Sequence, residues 1–364
     1  MGKSFAVAML IVGTIVGAGF VSGREIISFF GHNASPWTAV LVAVLIFAVS
    51  FLFLFIGSRL NSRNVSEVNV KLAGRFHIIA DAFLLVNSFI VLAAMLAAMD
   101  SLGNSSLLPI APVYSIVTGI LCVFVVCKGV KGLIQCNKAV VPLMAFALVF
   151  IGIFTVLTAT GGGAPVAFPS FGVALVYICM NMVLASTVIT TLGRMNLKTM
   201  LLSSGLAGII MGALVAVLMA ALNAWGETNA DMPVLAMSRQ IHPVFFYAMV
   251  IIIAASIFTT MLAAMSGLVA WFEGIFGGKL FSAFVILAGG FILSNLGFST
   301  VVKYFYPVIG VFGVVYVFLG CVFAARTLPV FKRITRSEKR KNTIATLGLA
   351  GRKRLSSNIC GKRK

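Results

Sequence analysis

The sequence predicts an all-α polytopic membrane protein with about ten transmembrane helices, arranged five and five as an inverted repeat. Three observations carry this. The 364 residues are 61% hydrophobic and 10% charged, with a mean hydropathy of +1.12, whereas soluble domains carry about 25% charged residues. The apolar residues fall in long runs without the alternation of barrel strands, so helices must satisfy the backbone in lipid. The basic residues fall between those runs, and on alternate sides.

A span needs about 20 apolar residues. Ten are read, at Ser4–Phe30, Trp37–Ile56, Ile78–Met99, Val113–Cys127, Ala139–Leu157, Val173–Leu192, Met200–Leu222, Val244–Phe272, Leu280–Leu293 and Thr300–Ala325. No small-residue cleavage pattern follows the first run, so it is expected to be retained as a span. With a cytoplasmic N-terminus, 24 of the 27 Lys and Arg residues fall inside. The outer loops around Asn104, Gly162 and Gly297 then carry none. This charge bias predicts both termini in the cytoplasm.

An odd number of spans per half turns the two halves over relative to each other. The expected membrane domain is 1–325, with repeats at about 4–158 and 170–325, followed by a basic tail at 326–364. The tail holds thirteen Lys and Arg residues. Next to a membrane, such a tail fixes topology and approaches anionic lipid headgroups; partner binding is the alternative. The +19 net charge is thus a membrane signal and implies no nucleic acid. The six Cys form no Cys-x-x-Cys pair, so neither a disulfide framework nor a metal cluster is expected. No Ser-His-Asp order appears. Gly161-Gly162-Gly163 lacks the Lys of a phosphate loop. Neither enzymatic chemistry nor an organic cofactor is expected.

The first span is the most informative segment. Gly13, Gly17, Gly19 and Gly23 crowd into eleven residues, and Arg24 and Glu25 follow at once. Each Gly weakens a helix by about 1 kcal/mol relative to Ala, and a charge at bilayer depth costs about 2.5–3.5 kcal/mol. A broken helix is tolerated where it lines a cavity or is buried in protein. Close helix packing through Gly13-x-x-x-Gly17 and Gly19-x-x-x-Gly23 is the structural alternative. Span 6 is the counterpart in the second half; it carries Tyr177 and Asn181 but lacks an internal Gly or Pro, so its break is weaker. Asn87 and Asn181 are candidate pocket amides, or else interhelical hydrogen bonds. Pro233–Arg239 predicts a short helix over the outer vestibule. Asp81 is expected to face Arg75. Arg24 and Glu25 are placed at the outer mouth as gate or coupling residues, with Arg239 or Lys303 as charge partners for Glu25.

Gly13-Thr14-Ile15-Val16-Gly17-Ala18-Gly19 resembles the first-helix signature of the amino acid–polyamine–organocation superfamily, which has the LeuT fold. Its continuation through Phe20, Gly23, Glu25 and Ile26 looks most like the YkvI-like branch. Gly129-Val130-Lys131 with Asn137 resembles a stretch of the amino acid permeases. The resemblance implies discontinuous first and sixth helices. It implies a solute carboxylate received by the amides of Ala18, Gly19 and Phe20, with Gly17 and Gly19 leaving room for the ligand and Asn87, Tyr177 and Asn181 around it. Ser256, Thr259 and Thr260 resemble the sodium-site segment of such symporters. That site would combine carbonyls of Gly13, Val16 and Ser256 with the hydroxyls of Thr259 and Thr260. Alternatively, each Thr bonds back to its own helix. Some permeases replace the ion with a Lys from span 5; here Leu143 or Met144 aligns with it. The implied function is a sodium-coupled symporter of amino acids or related small zwitterions, in a bacterial or archaeal plasma membrane. A ligand-sensing permease-like receptor subunit without transport, and proton coupling through Glu25, are the alternatives. The residues imply no oligomeric state.

Overall fold

The computed structural model describes residues 2–31, 35–62, 64–128, 130–158, 170–226 and 232–327. The triple glycine at 161–163, Gly129 of the span 5 motif and the tail beyond 327 lie outside them. The chain divides into two units, 1–320 and 321–364; of the second, 321–327 are described and helical.

The first span comes in three pieces, α1 (Gly2–Ile15), α2 (Ala18–Val21) and α3 (Arg24–Phe30). There follow α4 (Trp37–Leu60), the short α5 (Val65–Ala73), α6 (His77–Ser106), α7 (Val113–Val126) and α8 (Val130–Thr158). The second half holds α9 (Phe171–Ile189), α10 (Leu197–Trp225), the short α11 (Pro233–Ile241), α12 (Pro243–Phe276), α13 (Lys279–Ser294) and α14 at 298–320. Among the described residues seven helices are long and apolar enough to cross a membrane, joined by the three shorter apolar helices α1, α7 and α13. The first expected span covers α1 to α3, and each of the other nine coincides with one of these helices.

α1 is buried without interruption from Ala6 to Ile15 and packs on α8, α9, α10 and α12. A helix apolar on every side belongs at the centre. On α8, Leu143, Phe146, Phe150, Ile153 and Leu157 point outward at helical spacing, the face offered to lipid. Small residues bring backbones together. Gly208 lies over Ala43 O, and Gly57 over the Thr190 backbone, the close approach that membrane helices use in place of hydrophobic association.

Two elements depart from expectation. α9 runs unbroken from Phe171 to Ile189, so the sixth span has no mid-helix interruption; its only glycine is Gly172, at the start. α14 contains a π-turn at Val301–Phe305. Pro307 lacks the N–H that would bond Lys303 O, and the widened turn absorbs the loss.

The expected short helix of the second half is α11. Val234 N–H donates to Ser22 O at 3.0 Å, tying α11 to the end of α2. Another polar cluster pins α5. Asp81, facing Ser66 and Asn69 rather than Arg75, accepts from Ser66 Oγ and Asn69 Nδ2, both at 2.6 Å. Tyr316 OH donates to Asn69 Oδ1 at 2.9 Å, and Arg75 lies over the Phe76 ring instead. Asp81→Ala removes the acceptor of two donors, one of them fully buried, and is expected to cost about 1–3 kcal/mol. Hydrogen exchange should quicken across 65–73, whereas Arg75→Ala should leave it unchanged. Equal effects of the two substitutions would refute this account of the cluster.

Candidate functional site

The glycines of the first span break it in a defined way. Gly17 is extended (φ −97°, ψ −172°). Its N–H turns to Ile15 O at 2.9 Å instead of continuing the ladder to Gly13 O. The N–H groups of Ala18, Gly19 and Phe20 find no backbone acceptor among the described residues. Gly23 then adopts φ 81°, a left-handed conformation that glycine takes without a steric penalty, and α3 begins. The break therefore releases the carbonyls of Gly13 and Thr14 and three amides inside the protein, groups that normally demand partners when buried.

A small cavity adjoins the break. Thr14, Gly17, Glu25, Asn87, Asn181 and Thr260 line it, with Met95, Met180 and Tyr306. Its volume is about 20 Å³, room for a water molecule but not for an amino acid. Glu25 is 3% exposed, and its Oε2 has no hydrogen-bond partner among the described residues. The carboxyl end of Glu25 lies directly against the α-carbon of Gly19. Asn87 Nδ2 is likewise unpartnered, while Asn181 Nδ2 donates to Tyr177 O at 3.1 Å.

α12 approaches the break from the other side. Ser256 Oγ donates to Val16 O at 2.8 Å. Thr259 Oγ1 donates to Ser256 O at 3.0 Å, the own-helix bond common in membrane helices. Thr260 Oγ1 is buried without a partner and sits beside Gly17, where an added methyl group would meet it at 3.0 Å. Asn137 on α8 is fully buried, and neither of its amide atoms is bonded. Its side chain fills the space over Gly13, where a methyl would fall 2.5 Å from Asn137 Oδ1. Folded interiors rarely leave buried polar groups unanswered. Glu25, Asn87, Asn137 and Thr260 gather such groups around one broken helix.

The chain is 26% identical over 332 residues to the uncharacterized membrane protein YkvI of Bacillus subtilis, covering 85% of this chain and 92% of that protein. No family model matches it. Among solved structures it is similar to MhsT in complex with L-phenylalanine, with a TM-score of 0.65, 17% identity and 88% of each chain covered. Mhp1, a nucleobase-cation-symport-1 family transporter in a closed conformation with bromovinylhydantoin bound, gives a TM-score of 0.62 at 13% identity, over 84% of this chain and 74% of that one. A Na+-coupled sialic acid symporter, in a substrate-bound outward-open state, gives 0.59 at 14% identity, over 85% and 76%. The fold is that of the LeuT-type transporters.

Within this LeuT-type fold, Gly17, Asn87 and Asn181, expected around one solute, line a single cavity with Thr260, expected at the ion, and Glu25, expected at the mouth. Ala18, Gly19 and Phe20 are fully buried beside the cavity but do not line it. Tyr177 is held edge-on by Phe29 and Phe30, with ring centroids 5.2 Å apart in both pairs. Glu25 departs most from expectation: it turns into the cavity and is not a hydrated residue of the mouth. Neither proposed charge partner reaches it. Arg239 lies over Phe246 and Lys303 over Tyr304. Span 5 presents Asn137 and Val141 to Gly13, earlier in the helix than Leu143 or Met144; Leu143 is exposed. Sequence reasoning overlooked Asn137, Thr14 and Tyr306 as site residues. Asn137 carried a signal, a lone amide at the start of an apolar run. Tyr306 carried one too, since Pro307 marks a disturbed turn beside it.

Proposed function

We propose that the chain is a secondary active transporter that moves a small organic solute together with sodium by alternating access. The observation that carries this is the meeting of the broken first span with α12. The Gly13 carbonyl is released, Val16 and Ser256 are joined by one hydrogen bond, and Thr260 Oγ1 is buried and unanswered. Hard cations take oxygen ligands of this kind. One similar structure is of a Na+-coupled symporter and another holds an amino acid. Amino acids and related zwitterions are therefore the first solutes to try. In this reading 1–325 is the membrane domain, both termini face the cytoplasm, and the tail at 326–364 lies along anionic headgroups.

Purified protein in liposomes, given an inward sodium gradient, should accumulate labelled solute. Thr260→Ala is expected to weaken the sodium response at least tenfold. Thr259→Ala should change it less than threefold, because that hydroxyl is committed to its own helix. Binding without flux, with or without sodium, would instead identify a receptor-like subunit. Sodium-independent uptake that Thr260→Ala leaves untouched would remove sodium from the proposal.

A further inference from the structure

We propose that Glu25 anchors a cationic group of the solute, so that the solutes carried are amines whose recognition needs no carboxylate. This rests on the transport reading above and names its substrate class. The freed amides of Ala18, Gly19 and Phe20 are where the sequence resemblance places a solute carboxylate. In the structure a carboxyl group of the chain itself stands next to that segment, since the end of the Glu25 side chain packs on the α-carbon of Gly19. Once ionised, Glu25 would repel a second buried anion beside it, and low dielectric strengthens that repulsion.

Glu25 itself lacks a counter-charge. Its Oε2 is unpartnered, and no Lys, Arg or His among the described residues forms an ion pair with it. A buried carboxylate in its charged form is stable only with a cation or several donors around it. The remaining lining points the same way. Asn87, Asn181, Thr14, Thr260 and Tyr306 are neutral, Met95 and Met180 are apolar, and no Lys, Arg or His lines the cavity. The site thus offers one acidic side chain for a cation and no basic side chain for an acid.

The test uses matched triples in which only the charged groups change: alanine, ethylamine and propionate; leucine, 3-methylbutylamine and 4-methylpentanoate; phenylalanine, phenethylamine and 3-phenylpropionate. Thermal melting of the detergent-purified full chain in sodium reads binding, and liposome uptake reads transport. In at least one triple, the amine should half-saturate at no higher concentration than its amino acid, and the acid should give no shift. Glu25→Gln should weaken that amine tenfold or more, and Glu25→Asp less. An amino acid or acid that binds while its amine does not would overturn the proposal and leave the transport reading standing. Unchanged amine affinity in Glu25→Gln would overturn it too. Should that variant fail to fold, the comparison within the triples decides on the native chain. Failure of every compound in both assays would overturn the transport reading along with it.

Discussion

Gly17→Ala is expected to lower sodium-driven uptake about 10- to 100-fold in a chain that still folds. Gly17 is extended rather than left-handed (φ −97°, ψ −172°), so alanine fits its backbone without strain. The whole effect must come from the added methyl group. That group meets Thr260 Oγ1 at 3.0 Å and Thr260 Cγ2 at 3.2 Å. Thr260 is 4% exposed on a long helix and cannot swing into solvent. It must shift by a few tenths of an ångström, moving the oxygen proposed to hold the ion. Each tenfold loss corresponds to about 1.4 kcal/mol, a modest demand for a displaced ligand. Thr260→Ser removes the crowding methyl and keeps the hydroxyl, so the double variant should recover part of the sodium response. Uptake by Gly17→Ala at wild-type sodium affinity would show that this contact has no part in coupling.

The second large effect concerns stability. Gly57→Ala puts a methyl 2.5 Å from Thr190 O and 2.6 Å from Thr190 Cα. Both are backbone atoms, and no side-chain rotation relieves the overlap. α4 and α9 must separate, at a cost of about 1–3 kcal/mol. Gly205→Ala is the control. It lies inside α10 with nothing within 4 Å of the new methyl, so the better helix propensity of alanine should add up to about 1 kcal/mol. Thermal melting in detergent should therefore move in opposite directions for the two variants. A loss of melting temperature in both would point to a general intolerance of larger residues instead.

What could be read from the sequence follows the range of the physics involved. The ten spans rest on hydropathy and loop charge, which are properties of short windows, and all ten are found. The break at Gly17 was legible because glycine weakens a helix wherever it stands. The continuity of α9 follows from the same rule, since it has no Gly or Pro beyond its first turn. The position of Glu25 was not legible. Arg24 and Glu25 point about 100° apart on a helix, so the pair cannot share one environment. Which of them faces inward depends on the rotation of α3, set by the turn at Gly23 and by Phe29 and Phe30 packing on Tyr177. Those contacts join residues about 150 positions apart. The register of α8 against α1 is equally non-local, and it puts Asn137 rather than Met144 over Gly13.

The tightness of the cavity at the break bears on every binding constant measured for this chain. A molecule that spends nearly all its time shut offers ligands only its brief open intervals. Were about one molecule in a hundred open, the observed dissociation constant would be a hundredfold weaker than that of the open form. A weak affinity would then describe the rarity of the open form as much as a poor fit.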